Sequence, residues 1–340
     1  LAASVCLYWF LPEKNRRIAL SFFGIFFYAW SDVRFLLLLL VLGLLVWWCG
    51  ILMDKEVVDA RRKAFFFIGL GIVLAVLCAA KYGMLLAASV FGLFGLVPNM
   101  PSWLLPLGIS FFTFEFMHYL VERYRKALPD HDFLDYMSFM LFFPTLVSGP
   151  IKRFPAFIAS VREARGMQVS VFLSGIVLIL FGYVQKYLIA DVLVDKTAFL
   201  STPHLVPSSA AVVSGIFLYG LRIYADFSGL SHIAIGSALL FGIRVPINFS
   251  FPYLRKDLAQ FWRYWHMSLT SWVRDYVYMP LVFRFRHARF IQTIALIATM
   301  AIVGLWHGSS WNFLFFGMYH GIGLAVLQLF RSYRKHLPYH

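Results

Sequence analysis

Long apolar runs broken by short polar clusters dominate the chain. Phe35–Leu52, Ala64–Ala80 and Ser170–Leu188 each approach or reach the ~17–25 residues that a helix needs to cross a bilayer. The pattern predicts spanning or embedded helices near 1–11, 17–30, 35–53, 64–80, 84–97, 103–121, 133–147, 170–190, 210–225, 229–243 and 290–330, the last broken near 307–310. Two stretches do not read as simple spans. In Phe142–Phe157 (FFPTLVSGPIKRFPAF), prolines and a Ser-Gly-Pro corner interrupt an apolar run. Between Pro246 and Phe290, aromatics alternate with Arg255, Lys256, Asp257, Arg263, His266, Arg274 and Asp275. Charges in so apolar a setting are costly unless they face protein or water. Broken helices and embedded charges together predict a hydrated cavity reaching membrane depth. The expected fold is therefore all-α and polytopic, a single membrane domain over residues 1–340.

Composition sharpens this reading. Of 340 residues, 61% are hydrophobic and only 14% charged, against roughly 25% charged in soluble domains. That leaves too little polar surface for a water-soluble globule. The net charge of +14 lies in short clusters between apolar runs: Lys14/Arg16/Arg17, Arg61/Arg62/Lys63, Arg123/Arg125/Lys126, Lys152/Arg153, Arg284/Arg286/Arg289 and Arg331/Arg334/Lys335. Cytoplasmic loops obeying the positive-inside rule have this pattern, whereas a nucleic-acid groove needs one continuous basic face. No nucleic-acid partner is expected, and lipid is. With Arg284–Arg289 and Arg331–Lys335 both cytoplasmic, Trp306-His307-Gly308 falls toward the outer side. Cys6, Cys49 and Cys78 sit in apolar stretches without CxxC spacing and read as small hydrophobes. The first apolar stretch begins at residue 1 with no basic region before it, so a trimmed N-terminus and no cleavable signal are expected.

Among the histidines, His131, His204, His336 and His340 lie in polar or terminal stretches and read as solvated. His118 and His232 lie in apolar helices, where a hydrogen bond to a neighbouring helix is the expected role. His307 differs: it sits in Gly304-Leu305-Trp306-His307-Gly308 between two membrane segments, and an ionisable residue there is a functional candidate. His266 sits in Phe261-Trp262-Arg263-Tyr264-Trp265-His266; on a helix it would share a face with Trp262 and Thr270, and an interfacial aromatic belt is the rival reading. His320, in Tyr319-His320-Gly321, could pack or support the site. An imidazole can take a proton from an acceptor hydroxyl, and an activated thioester donor needs no covalent nucleophile. The lack of a G-x-S-x-G elbow is therefore compatible with acyl transfer. No HExxH spacing occurs, and no metal is expected. Asp226 closes an apolar segment and would cap a following helix or pair with Arg222; Glu115 and Glu122 are similar cases.

The ordered motifs Leu105-Pro106-Leu107-Gly108-Ile109-Ser110-Phe111-Phe112-Thr113-Phe114, Ser148-Gly149-Pro150-Ile151, Asp226-Phe227-Ser228-Gly229, Asn248-Phe249, Phe261–His266, Gly304–Gly308 and His320-Gly321 together resemble bacterial membrane-bound O-acyltransferases, in particular the alginate O-acetyltransferase and teichoic-acid D-alanyltransferase branches. The resemblance implies a ring of tilted helices around a central funnel or tunnel, with re-entrant segments. It implies that His307 is catalytic and that His266 lies on the tunnel from the cytoplasmic side; His266 is expected as a second catalytic residue that orients the donor or a second proton-transfer group. Trp262, Arg263, Trp265 and Trp306 would line the tunnel, Asp226 and Asn248 would hold its loops, and His320 would belong to the same region.

By the same resemblance the donor is a cytoplasmic thioester, either acyl-CoA or a phosphopantetheinyl carrier protein, with no tightly bound cofactor. The acceptor is an extracytoplasmic envelope polysaccharide, a periplasmic partner transferase is expected, and the site of action is the bacterial cytoplasmic membrane. Some features depart from either branch. Met279–Phe283 after Arg274-Asp275-Tyr276-Val277-Tyr278, and Lys152 after Ser-Gly-Pro-Ile, leave acetyl and D-alanyl transfer both open, with acetyl favoured. The additional C-terminal helices common in the family are expected to be missing. A transporter or conduit that hands the acyl group to a partner enzyme, and a non-catalytic scaffold, are the rival functions. A secondary transporter would commonly show inverted repeats, and the sequence has none.

Overall fold

The computed structural model describes residues 1–94, 106–202 and 208–334, and every regular element among them is a helix. In chain order these are α1 (Ala2–Phe10), α2 (Glu13–Ser31), α3 (Val33–Lys55), α4 (Asp59–Leu93), α5 (Ile109–Tyr124), α6 (Phe133–Met140), α7 (Phe143–Leu146), α8 (Phe154–Glu163), α9 (Val169–Tyr183), α10 (Asp191–Thr197), α11 (Ser209–Leu240), α12 (Leu258–Tyr264), α13 (Met267–Val273), α14 (Met279–Arg284), α15 (Arg289–His307) and α16 (Trp311–Arg334). Wider π-helical turns join α9 to α10 (Val184–Ala190) and α13 to α14 (Arg274–Tyr278). Among the described residues six stretches are long and apolar enough to cross a bilayer: Val33–Lys55, Asp59–Gly83, Val169–Ser201, Ser209–Leu240, Phe290–His307 and Trp311–Arg334. The chain is thus an all-α, multi-pass membrane protein. His204, His336, His340, Leu105 and Lys335 lie outside the described residues.

The chain gathers into two compact units, Leu1–Leu37 with Leu128–Asn248, and Leu38–Ala127 with Phe249–His340. In the first, α9 and the π-helical turn lie against α11 with their backbones nearly touching. A Cβ added at Gly182 would meet the carbonyl oxygen of Gly229 at 2.6 Å, and one added at Gly236 would meet that of Gly175 at 2.5 Å. Small residues allow such an approach, which suits helices that cannot draw on a hydrophobic drive within lipid. The Ser-Gly-Pro region is broken as expected. α6 ends at Met140, α7 is a single turn, and α8 begins with Pro155 in its first turn, where a missing N–H costs nothing.

A charged cluster ties this broken region to α2. Arg17 donates to Asp132 (3.1 Å) and Asp135 (2.7 Å), Arg162 donates to Asp135 (2.8 Å), and Asp132 caps α6 through the Asp135 N–H. Burial alone would push the Asp135 carboxyl up; Arg17 and Arg162 outweigh it and hold that carboxyl below its ordinary value. His131, read as solvated, instead packs on Phe154 with ring centroids 4.6 Å apart.

The expected break at Asp226–Gly229 is corrected by the structure. α11 runs unbroken through it, because Asp226 pairs sideways with Lys186 (2.8 Å) and Gly229 lies in the crossing with Gly182. Asp226 therefore caps no helix and does not pair with Arg222, which donates to Thr197 Oγ1 (3.1 Å).

In the second unit, α4 is likewise one helix of 35 residues where two, 64–80 and 84–97, are expected from the apolar runs. α5 opens at Gly108, whose φ of 71° lies in the left-handed region that glycine enters at little cost. Trp272 in α13 donates its indole N–H to the Phe114 carbonyl of α5 (3.0 Å), and Arg123 pairs with Asp54 (2.6 Å). α15 and α16 form the expected hairpin, broken at Gly308–Ser310. Gly321 sits where a Cβ would meet Ile297 Cα at 2.9 Å, so the two helices pack backbone to backbone.

Candidate active site

The second unit brings most of the sequence-derived site residues into one connected group. His307 ends α15 and is exposed, and its ring centroid lies 4.8 Å from that of Trp306 and 6.1 Å from that of Phe316. His266 also stands beside Trp306, 6.1 Å away centroid to centroid, and is 1% exposed. Phe316 continues the group to His320 (4.6 Å), and His320 meets Trp262 edge-on (5.1 Å). The order His266–Trp306–His307–Phe316–His320–Trp262 is thus an unbroken line of rings with three imidazoles in it. Helical spacing explains one step, since Phe316 and His320 are four residues apart on α16. The tight α15–α16 crossing supplies the next.

Three buried polar atoms in this line have no hydrogen-bond partner: Trp262 Nε1, Trp306 Nε1 and His320 Nδ1. A buried donor left unmade costs roughly 1–3 kcal/mol, so three within one ring cluster mark a place where a polar ligand would be stabilised.

The backbone at His266 differs from the sequence-based expectation. α12 ends at Tyr264, α13 starts at Met267, and His266 stands between them with φ of 44°. It does not share a helical face with Trp262. An imidazole held in the left-handed region is uncommon and strained, and such positions cluster at functional sites. Its carbonyl accepts from Thr270 N (2.9 Å), which starts α13.

The other candidates are placed differently. Trp265 stacks on Phe261 (5.5 Å) and meets Phe249 edge-on (5.1 Å), which makes it part of an adjoining aromatic group. Arg263 is exposed on α12. Asp226 and Asn248 belong to the first unit, where Asp226 pairs with Lys186 and Asn248 donates to Ser231 Oγ (3.1 Å).

Some residues near the site were not singled out from sequence. Lys81 and Tyr82 on α4 reach the carbonyls of Trp306 and Leu305, Tyr82 at 2.5 Å. The signal for Lys81 was present, as it is the sole Lys or Arg between residues 64 and 122. Tyr276 donates to Glu122 (2.8 Å) while His118 Nδ1 lies 2.6 Å from the same hydroxyl, so His118 is held by a neighbouring element as expected.

Comparison with known proteins agrees with these motifs. A protein described as "Probable alginate O-acetylase AlgI" from Pseudomonas aeruginosa is 34% identical over 329 residues, 94% of this chain and 62% of the relative. A "Teichoic acid D-alanyltransferase" from Streptococcus thermophilus is 33% identical over 65% of this chain and 56% of its own. A "Peptidoglycan O-acetyltransferase" from Helicobacter pylori is 28% identical over 89% of this chain and 62% of its own. The chain thus spans less than two thirds of the length of these relatives. The family model for membrane-bound O-acyltransferases matches residues 22–339. Six spans, the ordered motifs and this match agree: the chain belongs to the membrane-bound O-acyltransferase family.

Proposed function

We propose that the chain transfers a small acyl group, acetyl in preference to D-alanyl, from a cytoplasmic thioester to hydroxyls of an extracytoplasmic envelope polysaccharide, in the bacterial cytoplasmic membrane. The observation that carries this reading is the line of rings through His266, His307 and His320 with its unpartnered buried polar atoms. Acetyl is favoured because the O-acetylase relative aligns over 94% of this chain and the D-alanyltransferase over 65%.

In this reading the exposed His307 accepts the proton of the acceptor hydroxyl as its oxygen attacks the thioester carbonyl carbon. The C=O electron pair moves onto oxygen, then re-forms the double bond and expels the thiolate, which takes the proton back from His307. One ester and one thiol result. His266 and Trp306 orient the donor, and Trp262 and His320 offer polar atoms to it. Donor, acceptor and His307 held together would supply much of the rate enhancement by orientation alone.

The test is mass spectrometry of O-linked acyl groups on envelope polysaccharides from cells with wild-type protein or equal amounts of His307→Ala. The expected result is loss of one acyl species. Unchanged acylation would remove His307 from the chemistry and favour a conduit or scaffold.

A further inference from the structure

We propose that Lys81 is a further catalytic residue of this site, supplying the positive charge that faces the thioester carbonyl oxygen as it becomes an oxyanion. The proposal rests on the acyltransferase reading above. Its first support is placement. With Arg61–Lys63 cytoplasmic by the same charge rule that orients α15, Lys81 lies 18 residues beyond Lys63, or about 27 Å at 1.5 Å per residue, at the outer end of that span. His307 lies 18 residues beyond Arg289 on α15, about 27 Å from its cytoplasmic cluster by the same rise. Two independent counts thus bring the cation and the imidazole to one level.

The contacts agree. Lys81 Nζ donates to the Trp306 carbonyl and stands 5.1 Å from the centre of the Trp306 ring, which also has His307 as a neighbour at 4.8 Å. The Trp306 carbonyl belongs to the last turn of α15, where carbonyls lack helical partners and the helix dipole favours a cation. That contact uses one of three ammonium donors. Among the described residues no carboxylate pairs with Lys81. An apolar-embedded cation with a helix end as its only counter-charge is costly. Two unused donors beside the proton-accepting histidine are what a developing oxyanion needs. In the balanced step above, the electron pair of the breaking C=O π bond comes to rest on an oxygen beside this ammonium, and it returns when the thiolate leaves; Lys81 keeps its protons throughout.

A cap on α15 is the competing role, and charge separates the two. Lys81→Arg keeps the charge, Lys81→Gln keeps a hydrogen-bond donor without it, and Lys81→Met removes both. The readout is the initial rate at which cells accumulate O-linked acyl groups on envelope polysaccharide, per unit of membrane-inserted protein. Gln and Met variants are both expected to fall about 100-fold, and Arg to retain about a third or more. Rates within about threefold of wild type for Gln would make Lys81 a cap and overturn the proposal while leaving the acyltransferase reading intact. If the wild-type protein adds no acyl group, that reading fails and the proposal with it.

Discussion

Both units of this protein pair polar side chains within apolar surroundings, and one ring cluster in the second is treated differently. In the first unit the partners are internal. His232 donates to Gln185 (2.6 Å), Lys186 bridges Asp191 and Asp226, Arg222 reaches Thr197 and Asn248 reaches Ser231, while Ser228 Oγ has no partner among the described residues. In the second, Trp262 Nε1, Trp306 Nε1 and His320 Nδ1 lie in one ring cluster with no partner. A satisfied buried polar group holds helices together; an unsatisfied one costs stability that folding alone does not recover. Polar residues at membrane depth are therefore weak indicators of function until their partners are counted. The histidines make the point: similar in sequence context, His232 is bonded to Gln185, and the buried Nδ1 of His320 has no partner.

The largest loss of activity is expected at His307. Replacing it with alanine should lower acyl transfer by about 10³-fold, with thermal stability in detergent unchanged because the side chain is exposed. Trp306→Phe keeps the ring and removes only Nε1–H, so transfer should drop about tenfold with no loss of stability. In the first unit the expected effects fall on stability. Gly182→Leu forces α9 away from α11 and should cost about 2–3 kcal/mol, read as a lower melting temperature and less folded protein, while transfer per folded molecule is retained.

The smallest effect concerns Asp135. Its carboxyl sits below the ordinary value in the folded protein, so the Arg17 and Arg162 pairs contribute stability fully above the unfolded value of about 4. That contribution is lost as pH falls through the lower folded value. Melting temperature should therefore decline in acid below about pH 4, and Asp135→Asn should flatten that part of the decline.

The membrane class, the broken segments at 142–157 and 246–290 and the α15–α16 hairpin were legible because hydrophobic run length and proline placement act locally. Two helix boundaries were not. Lys81–Gly83 and Asp226–Gly229 read as interruptions, since a polar cluster in an apolar run resembles a loop. Each instead continues the helix because its polar side chain finds a partner on another element, Trp306 for Lys81 and Lys186 for Asp226. Partners distant in sequence leave no trace in a hydropathy pattern. The same limit hid Phe316, which links His307 to His320 only once α15 and α16 pack. The left-handed backbone at His266 was equally hidden, because the flanking Phe261–Leu269 pattern suits an unbroken helix. Residue types at the site were legible, and their connection into one line was not.

The most direct test of the contrast uses two matched substitutions, His232→Phe and His320→Phe, each measured for melting temperature and for transfer of acyl groups to envelope polysaccharide. His232→Phe strands the buried Gln185 amide and should cost about 1–3 kcal/mol of stability with transfer retained. His320→Phe removes an unpartnered polar atom and should leave stability equal or higher while transfer falls about tenfold or more. The reverse result, with transfer lost in the His232 variant and stability lost in the His320 variant, would contradict the assignment of structure to one unit and chemistry to the other.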